Sequence, residues 1–279
     1  MLFFYNKDTR TAASGTLNAV EGGFTNLKNF DAAAGFGDWT HIVPVFNVLF
    51  FYNQVTRTAA SGRLNADGSF VNLQDFPTGF GFWSHIVPGF GSLFFYNQVS
   101  RTGASGKLNA STGNYVNQKN FDAAAEPSAK FWTHIVESET GHGLAVFYNK
   151  NTRTAASGTF FDDGSFANLQ NFDAATGFGD WTHIVPTLSG LHFFYNKDTR
   201  TASTRKFTEN GSFANLKDFF TGFGVWTHIV EDQNVLFFYN KDTRTAASGI
   251  LLEDKFTNLQ DFGPAAGFSE WTHIVGTSR

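Results

Sequence analysis

The sequence predicts an all-β protein: a single six-bladed β-propeller of four-stranded blades, with the ring closed by the N- and C-terminal strands in one blade. Two observations carry this. First, the segment Leu2-Phe3-Phe4-Tyr5-Asn6 returns five times, at Leu49, Leu93, Ala145, His192 and Leu236. Second, Trp39-Thr40-His41-Ile42-Val43 returns at Trp83, Trp132, Trp181, Trp226 and Trp271, with Ser84 the one change. Successive tyrosines of the first segment lie 47, 44, 52, 47 and 44 residues apart. Six repeats of about 46 residues therefore fill the chain, a period typical of propellers and other repeat architectures. Their approximate bounds are 2–48, 49–92, 93–143, 144–190, 191–234 and 235–279.

Each repeat reads as four short strands. Leu-Phe-Phe-Tyr-Asn is an apolar run, as expected of a strand buried on both faces. Asn6-Lys7-Asp8-Thr9-Arg10 is rich in residues that bond their own backbone and form turns. Thr11 to Leu17 is a strand of small residues, suited to close approach of a neighbour. Asp67-Gly68 and Asp163-Gly164 mark a hairpin. Phe24-Thr25-Asn26-Leu27 alternates apolar and polar. The Gly-rich loop Ala34-Gly35-Phe36-Gly37 leads into Trp-Thr-His-Ile-Val, whose β-branched and aromatic residues suit a packed strand. That strand is assigned innermost. No stretch sustains a 3.6-residue period, and the best helical candidate, Asp122 to Glu126, is stopped by Pro127.

The first copy lacks a preceding Trp-Thr-His-Ile-Val strand and the last lacks a following Leu-Phe-Phe-Tyr-Asn. Residues Trp271–Val275 are therefore expected to pair with Leu2–Asn6. The alternative architecture is two β-trefoils, with the connector from Glu137 to Gly143 as linker.

Composition excludes several functions. With no cysteine there is no disulfide framework, zinc ribbon or thiol enzyme. A net charge of −4 argues against a nucleic-acid partner. No apolar run approaches the roughly 18 residues of a membrane helix, and no signal peptide is read at the N-terminus. Cytoplasmic synthesis is the expectation, compatible with leaderless, non-classical release.

The repeat unit resembles those of tachylectin-2-like β-propeller lectins in its length, tryptophan-led strand and Phe-Phe pair, although tachylectin-2 has five blades. The resemblance implies a glycan-binding protein with one shallow site per blade or blade interface, and leaves the monosaccharide open.

Polar positions recurring in all six copies are the candidates for such sites. They are Arg10, Arg57, Arg101, Arg153, Arg200 and Arg244, and His41, His85, His134, His183, His228 and His273. The tryptophans Trp39, Trp83, Trp132, Trp181, Trp226 and Trp271 could stack on a sugar. Two asparagine series recur as well, one from Asn6 to Asn240 and one from Asn26 to Asn258. Pyranose recognition needs flat apolar surface and planar donors and acceptors, and these residue types supply both. Each has a structural reading beside the functional one. The tryptophan packs blades; the histidine satisfies a buried partner; the strand-end asparagine bonds its own turn. The arginine bridges blades or holds a ligand. Phe36, Phe80, Phe178, Phe223 and Phe268 are loop contacts or core.

Two repeats depart from the pattern. The third carries Glu126 to Phe131 in place of the Gly-Phe-Gly loop. The fifth carries Ser203-Thr204-Arg205-Lys206 in place of Ala-Ser-Gly. Sites that use these segments are expected to bind weakly. No close histidine pair, calcium loop or recurring carboxylate pair appears, so neither metal, cofactor nor catalysis is expected. The function predicted is a multivalent lectin for cell-surface or cell-wall glycans. The alternatives are a protein-interaction scaffold and, third, a glycan hydrolase with one asymmetric site.

Overall fold

The computed structural model describes every residue except 90, 128, 129, 139–142, 254, 278 and 279. Its strands form six separate four-stranded antiparallel sheets. This is a six-bladed β-propeller, and the separate sheets replace the two-trefoil alternative. Blade one comprises β1 (Leu2–Asn6), β2 (Thr11–Leu17), β3 (Phe24–Phe30) and the last strand, β24 (His273–Gly276). Tyr5 pairs with His273 and Phe3 with Val275, so the two ends of the chain share one sheet and close the ring.

The remaining blades follow in chain order. Blade two is β4 (His41–Val45), β5 (Val48–Asn53), β6 (Thr58–Leu64) and β7 (Phe70–Phe76). Blade three is β8 (His85–Gly89), β9 (Ser92–Asn97), β10 (Thr102–Leu108) and β11 (Tyr115–Phe121). Blade four is β12 (His134–Glu137), β13 (Leu144–Asn149), β14 (Thr154–Phe160) and β15 (Phe166–Phe172). Blade five is β16 (His183–Pro186), β17 (Leu191–Asn196), β18 (Thr201–Phe207) and β19 (Phe213–Phe219). Blade six is β20 (His228–Asp232), β21 (Val235–Asn240), β22 (Thr245–Leu252) and β23 (Lys255–Phe262). The chain clusters into two compact units. Met1–Gly81, Ala110–Gly113 and Val225–Arg279 hold blades one, two and six; Phe82–Asn109 and Asn114–Gly224 hold blades three, four and five.

The tryptophan-led strand begins two residues later than the sequence suggested, at the histidine. Trp39 and its counterparts sit in the loop before it, so tryptophan and histidine do not share a strand face. Within each unit the histidine-led strands of neighbouring blades approach one another, β24 beside β4 and β20, and β12 beside β8 and β16. This agrees with their innermost assignment. Among the described residues helix is confined to short 3-10 turns at Ala32–Ala34, Ala174–Thr176 and Pro264–Ala266. Asp122 to Glu126 is a turn, with the Asp122 carboxylate accepting from the backbone of Ala124 and Ala125. The proposed linker from Glu137 to Gly143 falls largely outside the described residues.

The first strand is buried on both faces because alternate residues serve different junctions. Phe4 packs toward blade six with Ala13 and Leu17, while Phe3 and Tyr5 pack toward blade two. The small second strand is explained by what covers it. A Cβ at Gly62 would lie 2.0 Å from the Phe70 ring, so the aromatic of the outer strand occupies the space a side chain would need. That aromatic meets the second Phe of the first strand edge-on in five blades, as in Phe51–Phe70 at 5.6 Å and 88°. Edge-to-face pairs of this kind are favourable beyond their area burial.

Hydrogen bonds repeat the blade-to-blade attachment. Ser14 Oγ donates to the carbonyl of Gly68 at the tip of the next hairpin (2.7 Å). Ser105, Ser157 and Ser248 do the same to Gly164, Gly211 and Gly22. Gly68 has φ +83°, and its Cβ would meet Ser14 Oγ at 2.5 Å, so conformation and space both require glycine there.

Candidate functional site: clefts at two blade junctions

A cleft of about 490 Å³ opens where blade six meets blade one. Phe4, Phe24, Phe268 and Trp271 supply aromatic surface, and Asn26, Asn29 and Asp31 supply polar rim. A second cleft, of about 380 Å³, lies between blades three and four. Its Trp132, Asn171, Phe172 and Asp173 are the counterparts of Trp271, Asn29, Phe30 and Asp31. The same repeat positions thus build a cleft in each of the two units.

The polar rim depends on a β-bulge. In blade one Gly15 pairs with Asn26 and Ser14 with Lys28, leaving Leu27 unpaired. The identical shift occurs in all six blades, at Leu73, Gln118, Leu169, Leu216 and Leu259 in the others. Residues three apart on a regular strand point to opposite faces. The extra residue re-aims the chain, as bulges do, and brings Asn26 and Asn29 to one cleft. In four blades the pair touches: Asn72 Nδ2 donates to Asp75 Oδ2 at 3.2 Å, Asn117 to Asn120 Oδ1 at 3.3 Å, Asn215 to Asp218 at 3.2 Å, and Asn258 to Asp261 at 3.3 Å. The second member is Asn29, Asp75, Asn120, Asn171, Asp218 or Asp261, always an amide or carboxylate. It is absent from the sequence-derived candidates. The signal was present as Asn-x-x-Asn/Asp in every repeat, but a spacing of three on a strand hides a shared face unless the bulge is known.

Of the predicted residues, the tryptophans have two roles. Each indole packs on the second Phe of a first strand, from Trp132–Phe147 at 5.6 Å to Trp181–Phe194 at 5.9 Å. Trp39–Phe51, Trp83–Phe95, Trp226–Phe238 and Trp271–Phe4 fall between. Trp132, Trp181 and Trp271 are buried, while Trp39, Trp83 and Trp226 are half-buried. Packing is therefore their common duty, and Trp132 and Trp271 also line clefts. The backbone before the tryptophans is pinned by tyrosine, as at Trp181. Tyr148 Oη donates to Gly179 O (2.5 Å) and accepts from Trp181 N (3.2 Å). Burial raises the Tyr148 pKa, partly offset by that Trp181 N–H.

The histidines bond backbone carbonyls of the next repeat. His228 Nε2 bonds Thr272 O at 3.0 Å and His273 Nε2 bonds Thr40 O at 3.0 Å. His85 and His134 reach Thr133 O and Thr182 O at 3.1 Å. Because these acceptors are carbonyls, Nε2 carries a proton. Nδ1 of each lies beside the hydroxyl of the preceding residue, as it does for His41 and His183 (2.9 and 2.8 Å). These side chains join blades and line neither cleft. Burial lowers the pKa of His134, His228 and His273.

The strand-end asparagines are turn residues. Asn53 Oδ1 accepts from Val55 N and Thr56 N, and Asn53 O accepts from Arg57 N. The arginine closing each turn is exposed and left-handed. Arg10, Arg57, Arg101, Arg153, Arg200 and Arg244 have φ between 56° and 60°. That region costs an ordinary residue about 1–2 kcal/mol, and Gly or Asn would relieve it. Arg244 reaches the carboxylate of Glu270, the residue before Trp271. The guanidinium of blade six thus stands at the rim of the junction with blade one.

Blade five departs from the others. Arg205 replaces the glycine and His192 the first residue of the apolar strand; the two are directly cross-strand. Arg205 is 4% exposed. Its guanidinium lies 4.4, 5.1 and 4.9 Å from the rings of Phe178, Phe194 and Phe213. One nitrogen donates to Gly177 O at 3.1 Å. Burial lowers its pKa to about 10, with Asp218 opposing the fall, so it stays charged at neutral pH. Burial holds His192 neutral, with its pKa pushed down to about 3.

Among the described residues no group of three His, Asp or Glu side chains is placed to hold a metal ion. No helix among them is long and apolar enough to cross a membrane. No protein family matches the chain, and no curated protein does. Solved structures do. A Lactobacillus plantarum protein is similar over 98% of both chains, with 14% identity and a TM-score of 0.60. A chain from a nidogen/laminin complex is similar over 98% of this chain and 97% of its own, with 13% identity and a TM-score of 0.58. The periplasmic gluconolactonase of Pseudomonas aeruginosa gives 11% identity over 98% and 84%, with a TM-score of 0.56. At these identities the likenesses show the propeller fold alone.

Proposed function

We propose that this protein is a multivalent, non-enzymatic lectin that recognises cell-surface or cell-wall glycans through its repeated junction clefts, in the manner of tachylectin-2-like propellers. One observation carries the reading. The β-bulge recurs in every blade and in five of them brings an Asn and an Asn/Asp to the same side, and at the six/one junction they stand beside Phe and Trp. Planar amides and carboxylates accept and donate to neighbouring hydroxyls. The aromatic floor covers the apolar face of a pyranose.

The left-handed arginines favour the same reading. A turn repeated six times keeps a residue that costs conformational energy, which is expected when the side chain is selected for contact. Shallow sites of this kind bind weakly alone, and several engaging one surface raise the overall affinity by orders of magnitude.

A crystal soaked with a mixture of simple sugars tests the proposal. Sugar in the junction clefts, with glycan-array binding blocked by the same free sugar, supports it; silence across a broad array and unoccupied clefts overturn it. A protein-interaction scaffold is favoured by one specific feature. Phe82, Val99 and Phe131, on blade three and its flanking loops, are 42%, 85% and 44% exposed. Pull-down of a stable partner lost on Phe131→Ser, with no sugar bound, would favour that reading instead.

A further inference from the structure

Two junctions contain a cation supplied by the chain. At the three/four cleft, Lys130 places its ammonium 5.8 Å from the Trp132 ring centroid and donates to Asn171 Oδ1. At the four/five junction, the Arg205 guanidinium lies over three phenylalanine rings. These are the two repeats that depart from the common pattern. Ring faces carry negative charge and attract cations within about 6 Å, so the junction chemistry suits a positive group in both places.

The six/one cleft has the same receptor and lacks both of these internal cations. Trp271 stands for Trp132, Asn29 for Asn171 and Asp31 for Asp173. The counterpart of Lys130 is the exposed Ser269, and the counterpart of Arg205 is Gly15. The nearby Arg244 is already paired with Glu270. The Lys130 ammonium therefore marks where a ligand's charge would sit in the six/one cleft.

We infer that the six/one cleft is an ammonium subsite. It takes the positively charged amine of an amino sugar, seated over Trp271 and accepted by Asn29 and Asp31. This rests on the glycan reading, because the amine is held on a saccharide whose hydroxyls meet the Asn26–Asn29 pair. In the three/four cleft Lys130 occupies the same place, so that junction is closed to the ligand.

The test is calorimetry on the full chain with a β-1,4-linked glucosamine tetrasaccharide and its fully N-acetylated counterpart, at a pH where the amine is charged. The free-amine oligomer should bind at least about tenfold more tightly. Ser269→Lys should remove one site and Lys130→Ser should add one, with circular dichroism unchanged in both. Equal affinity for the two oligomers, or no change in site number in either variant, overturns the ammonium assignment and leaves the glycan reading standing. Tetramethylammonium binding that is lost in Ser269→Lys, with no saccharide bound, overturns the glycan reading and supports the cation subsite. Binding of none of these probes overturns both.

Discussion

Asn72 and Asp75 lie three positions apart on one strand, yet the amide of the first donates to the carboxylate of the second at 3.2 Å. The unpaired Leu73 between them makes this contact, because the bulge cancels the alternation that would otherwise separate the two side chains. Both are exposed, so their pairing contributes little to folding and is available to a ligand.

Asp75→Ala should therefore leave thermal stability within about 0.5 kcal/mol of the parent, as for most surface substitutions. The number of sugar sites counted by calorimetry should fall by one. Deleting Leu73 should do more, because removing the extra residue separates Asn72 from Asp75. Loss of stability without loss of a site in Asp75→Ala would contradict the proposed role.

Tyr148→Phe should destabilise by about 1–3 kcal/mol, the usual cost of leaving buried partners unsatisfied. The hydroxyl serves two backbone groups at once, Gly179 O and Trp181 N. Urea unfolding with an unchanged m-value would check this. The loop before Trp181 that it holds should exchange its amide hydrogens faster.

Acid should weaken the fold in a defined window. The unfolded histidines take up protons near pH 6.5, whereas burial keeps His134, His228 and His273 neutral to lower pH. Stability is therefore complete above about pH 6.5 and declines as pH falls below it. His192, held down to about 3, extends the decline to that pH. Each such histidine contributes a slope of up to about 1.4 kcal/mol per pH unit within its window. His192→Leu, matching the residue found at that place in four other repeats, should flatten the lower part of a stability-against-pH curve.

Arg57→Asn should keep or slightly raise the melting temperature, since asparagine tolerates the left-handed region better than arginine. Haemagglutination or binding to a glycan-coated surface should nevertheless weaken. An unchanged surface affinity would assign the arginines to the turn alone.

Much of this architecture was legible in the sequence. Leu-Phe-Phe-Tyr-Asn and Thr-Ala-Ala-Ser-Gly are local patterns whose burial and small size follow from their own residues, and the unmatched end segments announced the shared first blade. The site was less legible for three physical reasons. The histidines bond carbonyls that belong to the next repeat, a distance of 44 residues or more in the chain. Trp39 lies outside its strand, so a shared face with His41 did not follow. The Asn–Asp pair exists only because of a register shift that period-two reasoning ignores. Arg205 was legible as a departure, but its place among Phe178, Phe194 and Phe213 required the packing of blade four against blade five.

The serine-to-hairpin bond sets limits on how such a chain diversifies. Gly68 is refused any side chain both by its backbone angle and by Ser14, so the hairpin tip accepts little but glycine. Variation is steered to the second member of the amide pair and to the residue two before the tryptophan, where Asp replaces Asn and Lys replaces Ser without disturbing the scaffold. Individual clefts can thus be reshaped by single residue changes while the packing of their neighbours is kept.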